Sequence, residues 1–293
     1  AGLIRIAWGL FMKVVIADRL AMVVDYSYND PVSHNGLTLL LATFFFTIQI
    51  YCDFAGYSSI AIGCARLMGF KLMENFDAPY FSTSISEFWR RWHISLSTWF
   101  KDYLYIPLGG NRVSEWRLYF NYFLVFTISG LWHGAAWTFV IWGALHGIYL
   151  IAAMMVKTYV PLRRKEQGET GKIEFAKPNN LQLTVKKLFN IAFTFLLVMF
   201  TWIFFRAHGL SNAKTVIRKI SELRFSDVIA TPFSFNEMVF CWVLIVVLMV
   251  KDKYARIISS ENTPLFYVKF VGLMIACYFL GVFTSNQFIY FQF

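Results

Sequence analysis

Long apolar runs separated by short basic stretches set the pattern of this chain. Leu37 to Ala65 is broken by one charge, Asp53, and Leu188 to Phe205 carries none. Such runs meet or approach the about 20 residues that an apolar helix needs to cross a hydrocarbon core roughly 30 Å thick. Tyr119 to Val156 is long enough for two crossings, with Ser129-Gly130 and His133-Gly134 near the point where the chain would turn. Leu265 to Phe283 adds another run, and Met238 to Val250 is short unless Phe233 to Phe235 extends it. With Ile4 to Val24, interrupted by Lys13 and Asp18, as one more candidate, the pattern predicts five or six spans plus one at the N-terminus. The fold class is all-α, a polytopic transmembrane helical bundle.

One stretch follows a different period. From Ser86 to Leu108, at about 100° per residue, Phe88, Trp89, Trp92, Leu96, Trp99, Phe100 and Tyr103 fall on one arc of roughly 120°. Arg90, Arg91, His93, Ser97 and Lys101 fall opposite, and Ile94 and Leu104 break the rule. A helix that is aromatic on one side and basic on the other is expected to lie in the membrane interface, or to re-enter it as the wall of a polar funnel. Its stripe of Arg90, His93, Ser97 and Lys101 suits either a phosphate-bearing donor or lipid headgroups.

Charge and composition narrow the class. Lysine and arginine outnumber aspartate and glutamate by 27 to 17, an excess that could signal nucleic acid, an anionic membrane surface or the cytoplasmic loops of a membrane protein. Its placement decides for the last, because the positives cluster between apolar runs, at 85 to 117, 157 to 187, 206 to 224 and 251 to 256. No nucleic-acid partner is expected. The positive-inside rule then makes 157 to 187 a basic cytoplasmic loop, puts 85 to 117 on the same side, and makes Tyr119 to Val156 a hairpin that bends near Leu131-Trp132-His133-Gly134. Alternation carries 206 to 237 and Thr284 to Phe293 outside, against the basic character of the former. Residues 1–293 are read as a single membrane domain. The four cysteines, Cys52, Cys64, Cys241 and Cys277, lie in or beside apolar runs without CxxC spacing, which fits buried thiols rather than a disulfide framework or a metal site.

Candidate chemistry is concentrated at a few polar residues within apolar sequence. His133 is flanked by small residues that leave room for a reactant, and a buried neutral imidazole can accept a proton from a hydroxyl. It could equally hydrogen-bond a neighbouring helix. His146, thirteen residues on and about 220° around a helix, reads as structural. Gln49, Cys52, Asp53, Gly56 and Tyr57 make a small, polar stripe in the first long run. Asp53 could orient a catalytic group, line a polar tunnel or pair within a helix contact. Walker loops, HExxH, GxSxG and dinucleotide fingerprints are absent from the sequence, and Gly109-Gly110-Asn111-Arg112 alone signals only a turn.

Taken together, several motifs carry a resemblance. Tyr51-Cys52-Asp53-Phe54-Ala55-Gly56-Tyr57-Ser58, Asn75-Phe76 through Pro79-Tyr80, and Glu87-Phe88-Trp89-Arg90-Arg91-Trp92-His93-Ile94-Ser95-Leu96-Ser97 come first. Asp102 to Arg112, Leu131-Trp132-His133-Gly134 and Phe288 to Phe293 follow. In order and spacing these resemble the membrane-bound O-acyltransferase (MBOAT) superfamily. The unbroken Tyr105-Ile106-Pro107-Leu108-Gly109-Gly110-Asn111-Arg112 run is similar to its alginate O-acetyltransferase branch rather than to the branch that exports D-alanine to teichoic acids. Family members have further hydrophobic segments before the point where this chain begins, so the chain is read as the later part of a longer protein.

The resemblance implies a multi-pass protein of the bacterial inner membrane with an all-helical chamber for acyl transfer. Its catalytic histidine maps onto His133 and its second histidine onto His93. On this reading Arg90, Arg91 and Lys101 bind the donor, acetyl-coenzyme A or another acyl thioester, while Asp53, Tyr57 and Trp132 line or orient the tunnel. No bound cofactor or metal is expected. The acceptor is a polysaccharide or an extracytoplasmic relay protein of the SGNH acetyltransferase type. Two other classes stay open, a transporter or flippase using Asp53, His133 and His146 as a polar pathway, and a non-catalytic scaffold of a polysaccharide assembly complex.

Overall fold

The structure is a computed structural model that describes residues 2–166, 180–224, 226–254 and 263–283. Its α-helices in chain order are α1 (Gly2–Leu10), α2 (Asp18–Tyr28), α3 (Gly36–Leu67), α4 (Ile85–Arg91), α5 (Ile94–Phe100), α6 (Glu115–His133), α7 (Trp137–Glu166), α8 (Asn180–Arg206), α9 (Leu210–Ser221), α10 (Phe235–Tyr254) and α11 (Thr263–Leu280). Among the described residues there is no strand, and the fold is all-α. The chain forms two compact units, one of Ala1–Asp77 with Trp202–Phe293 and one of Ala78–Thr201, whose boundary falls inside α8.

In the first unit α1 and α2 are joined through a π-helical segment, Phe11–Ala17, instead of a break. A π turn brings residues five apart onto one face, and here it sets Lys13 Nζ 2.8 Å from Asp18 Oδ1 and 2.5 Å from Asp53 Oδ1 of α3. The three side chains are buried. Charges removed from water need such partners, which accounts both for the wound turn and for charged residues inside an apolar sequence. Alongside, α1 and α3 approach at two glycine pairs. A Cβ on Gly9 would lie 2.6 Å from the Gly56 carbonyl oxygen, and one on Gly2 would lie 2.9 Å from that of Gly63. Small residues at helix contacts permit this approach where lipid supplies no hydrophobic drive. Cys64 follows Gly63 by one step, is turned about 100° from the seam and is exposed, contrary to the expectation of a buried thiol. Cys52, Cys241 and Cys277 are buried as expected, and all four thiols are free.

Asn35 caps α3, its side chain accepting from the Thr38 amide at 2.9 Å. Helix α9 covers that end, burying Ala213 and Val216, and its Lys219 ammonium donates to the carbonyl oxygens of Val32 and His34. The basic segment 206–224, which conflicted with its assigned side, is thus largely one amphipathic helix with a lysine that caps backbone carbonyls.

The second unit is built on the α6/α7 hairpin, whose turn lies at Gly134 as the apolar pattern predicted. The helices cross where Gly130 and Gly143 replace side chains. A Cβ on Gly130 would stand 2.2 Å from the Phe139 carbonyl oxygen, and one on Gly143 would stand 2.2 Å from that of Phe126. Helix α7 extends to Glu166 and α8 starts at Asn180, and residues 167–179 of the expected basic loop lie outside the described residues. The C-terminal motif Phe288 to Phe293 lies outside them as well.

Among the described residues three helices are long and apolar enough to cross a membrane, Gly36–Leu67, Trp137–Thr158 and Gln182–Arg206, fewer than the five or six expected. Pro264–Leu280 is apolar but shorter, and the N-terminal stretch is divided by its π segment.

Candidate active site

The second unit brings together most of the residues singled out by sequence. Ser84 caps α4, accepting from the Glu87 amide at 3.2 Å, while the Glu87 carboxylate accepts from the Thr83 amide and hydroxyl at 2.7 and 2.6 Å. This reciprocal cap starts the helix. Burial alone would raise the Glu87 pKa, but these bonds and the Arg91 guanidinium at 2.7 Å hold it below the usual carboxylate range. Arg91 is therefore turned to Glu87, four residues back, and does not border the cavity described below.

The amphipathic helix expected over 86–108 is broken. Trp92 is extended and packs its buried ring on Phe88 and Tyr80, at 5.4 and 5.9 Å. His93 then adopts a left-handed conformation, φ 45°, before α5 restarts at Ile94. Left-handed backbone is costly for a residue other than glycine and persists only where packing holds it. Past α5 a π-helical segment, Lys101–Tyr105, re-aims the chain, and Gly109 and Gly110, both at positive φ, turn it back towards Tyr105. The breaks interrupt the helix of the predicted stripe, yet Arg90, Ser97 and Lys101 still border one cavity, and His93 does not.

What the breaks create is a cavity of about 1000 Å³. Arg90, Lys101 and Arg112 supply positive charge at its walls, Trp89, Phe100, Tyr105, Tyr122 and Phe126 supply rings, and Ile94, Leu96, Val125 and Leu150 supply apolar surface. Burial raises the Tyr105 phenol above its ordinary pKa, as does Tyr122, whose ring centroid lies 5.0 Å away. A pocket of this make-up, mostly apolar with a few convergent polar groups, is suited to an organic ligand that bears negative charge.

Along α6 the cavity reaches Ser129, one turn before His133, which ends the helix. His133 itself is half-buried and stands edge-on to Trp142 at 5.2 Å and to the exposed Trp132 ring at 5.0 Å. Burial lowers the His133 pKa to about 4, so the ring is neutral near pH 7. Gly134 follows, where a Cβ would lie 2.6 Å from the Phe139 ring. His93 is buried, and burial first, then the proximity of His133, lowers its pKa to about 3.

Asp53 and Tyr57 belong to the first unit, where Asp53 is paired with Lys13 and Tyr57 is exposed. His146 is fully buried and hydrogen-bonded at both ring nitrogens. Sequence reasoning passed over Tyr105, Asn111, Arg112 and Ser129 as cavity residues. The two adjacent glycines after Leu108 were the available signal, since paired positive-φ positions return a chain on itself. Among the described residues no group of three or more His, Cys, Asp and Glu is placed to hold a metal ion.

Comparison with known proteins gives a consistent family. Residues 1–205 match the membrane-bound O-acyltransferase family. The probable alginate O-acetylase AlgI of Azotobacter vinelandii is 44% identical over 220 residues, 72% of this chain and 38% of that protein. A peptidoglycan O-acetyltransferase of Helicobacter pylori is 42% identical over 217 residues, 74% of this chain and 38% of its own length. The teichoic acid D-alanyltransferase of Bacillus subtilis is 34% identical over 155 residues, 47% of this chain and 39% of the relative. The chain thus spans about 38% of the length of the two O-acetylating relatives.

Proposed function

Because the chain belongs to the membrane-bound O-acyltransferase family, we propose that it forms part of a multi-pass bacterial inner-membrane enzyme that passes an acetyl group from an acyl thioester to an extracytoplasmic hydroxyl. The observation that supports this best is the second unit itself: a cavity with Arg90, Lys101 and Arg112 in its walls reaches within one helical turn of a half-buried histidine at a hairpin bend. The cations suit the phosphates of acetyl-coenzyme A, and the rings and aliphatic groups suit its organic body.

In the reaction His133 takes the proton of the attacking hydroxyl. The oxygen adds to the thioester carbonyl, the carbon–sulfur bond breaks, and the proton passes from His133 to the departing thiolate. The products are an ester and a free thiol, and no cysteine of this chain is needed as a nucleophile. His93, whose pKa responds to His133, assists by positioning the His133 ring. The acceptor is a hydroxyl of an exported polysaccharide or of an SGNH-type relay protein that carries the acetyl group onward. The O-acetylating names of the relatives in A. vinelandii and H. pylori favour such polymers.

The test is His133→Ala in the full-length protein, with acetylation of the exported polymer measured by mass analysis and insertion checked by immunoblot. Loss of the acetyl increment with normal insertion is expected. Retained acetylation would remove His133 from the chemistry, and if deletion of the whole protein still abolished acetylation, a scaffold role would replace the enzyme reading.

A further inference from the structure

His146 forms a hydrogen-bonded bridge in the second unit that the proposed reaction does not use. Its Nδ1 accepts from the Trp89 indole Nε1–H at 3.3 Å, and its Nε2 stands 2.9 Å from the Thr201 hydroxyl oxygen. That hydroxyl in turn donates to the Val198 carbonyl oxygen at 2.7 Å. An indole nitrogen can only donate, and the one hydroxyl proton is engaged on Val198, so the chain of bonds admits one tautomer, neutral with hydrogen on Nε2. The ring is also fixed by its neighbours, edge-on to Trp89 at 4.9 Å and to Trp142 at 5.0 Å, and stacked with Phe88 at 6.2 Å.

The two tryptophans lead to different parts of the site. Trp89 is a wall of the cavity beside Arg90. Trp142 packs edge-on against His133. A core that needed only apolar filling would be served by leucine, whereas here a fully buried polar ring bonds two defined groups, the Trp89 indole and the Thr201 hydroxyl, and touches both indoles.

We propose that His146 is a positioning residue, which fixes the Trp89 indole as the cavity wall by a hydrogen bond and fixes the His133 ring through Trp142. The proposal rests on the function assigned to this site, but it makes claims about geometry that hold apart from that function. It also separates two effects, since Trp89→Phe removes the hydrogen bond and leaves the contact between His146 and Trp142 in place.

The experiment uses the full-length protein in lipid nanodiscs with two readouts, the rate of His133 modification by diethyl pyrocarbonate followed by mass spectrometry, and the kcat and KM of acetyl transfer from acetyl-coenzyme A. His146→Leu is expected to raise KM by about tenfold, the scale of one or two lost hydrogen bonds, and to alter the His133 modification rate about threefold or more. His146→Gln, which can accept and donate at similar positions, restores most of both. Trp89→Phe raises KM and leaves the modification rate unchanged. The proposal is overturned if an inserted His146→Leu protein keeps wild-type KM and wild-type His133 reactivity. Should His146→Leu fail to insert, an unchanged KM in Trp89→Phe overturns it instead. If the wild-type protein transfers no acetyl group, the assigned function falls, and the modification rates still decide the geometry.

Discussion

Gly143→Ala tests whether the α6/α7 crossing controls the site. A methyl group there would meet the Phe126 carbonyl oxygen at 2.2 Å and the Gly130 amide nitrogen at 3.0 Å. The first distance falls short of a relaxed contact of about 3.5 Å by roughly 1.3 Å. Both obstacles are helix backbone, so no side chain can swing aside and the helices must separate. Overpacking of this kind costs about 1–3 kcal/mol, and rigid backbone places this case near the upper end. Alanine also gains about 0.5–1 kcal/mol over glycine in a helix. Gly272→Ala in α11 provides the comparison, because nothing lies within 4 Å of its Cβ position. Both variants share the propensity gain, and the difference between them isolates the steric cost, about 2–3 kcal/mol. Denaturant titration in detergent micelles followed by tryptophan fluorescence would measure it. Helix α6 carries His133 and α7 carries Trp142 and His146, so separation by about 1 Å should also lower acetyl transfer about 100-fold. If Gly143→Ala were as stable and as active as Gly272→Ala, the close approach would not be holding the site.

Two further outcomes concern charge. Lys13→Met leaves the Asp18 and Asp53 carboxylates buried without the ammonium that bridges them, and should cost about 3–5 kcal/mol; thermal unfolding of the variant, with partial recovery in Lys13→Met/Asp53→Asn, checks it. Glu87 is held below its ordinary pKa, so its contribution to stability is complete above the unfolded-state value of about 4.3 and is lost as pH falls through the lower folded value. Glu87→Gln should flatten the acid limb of stability measured between pH 3 and 6, and an unchanged limb would reject the cap.

The parts of this architecture that were legible in the sequence are those governed by runs and periods. Leu37 to Ala65 became α3, Leu188 to Phe205 lies within α8, and the bend at His133-Gly134 was readable because a polar pair with glycine interrupts an apolar stretch. The break at His93 was not readable. No glycine or proline marks it, and the aromatic arc argued for one continuous helix; what bends the chain is the packing of Trp92 on Phe88 and Tyr80. Asp53 drew attention as a charge at membrane depth, but its partner is Lys13, 40 positions away in sequence and on another helix. Arg91 could have been assigned from spacing alone, since Glu87 and Arg91 stand at i, i+4 in a capped helix.

The state of His93 constrains how charge must be divided in the proposed reaction. Burial and the neighbouring His133 lower its pKa to about 3, so at neutral pH its ring carries no charge. It therefore cannot supply the positive charge that an anionic donor requires, although it shared a predicted stripe with Arg90 and Lys101. In the proposed reaction that task would fall to Arg90, Lys101 and Arg112, which border the cavity while His93 does not. A neutral His93 has a different use in that reaction, since it would not repel the imidazolium that His133 would become on taking the hydroxyl proton. The division is then consistent with the backbone. The left-handed residue withdraws a histidine from the cationic surface into the interior, and the π-helical segment that follows α5 brings Lys101 to the cavity wall.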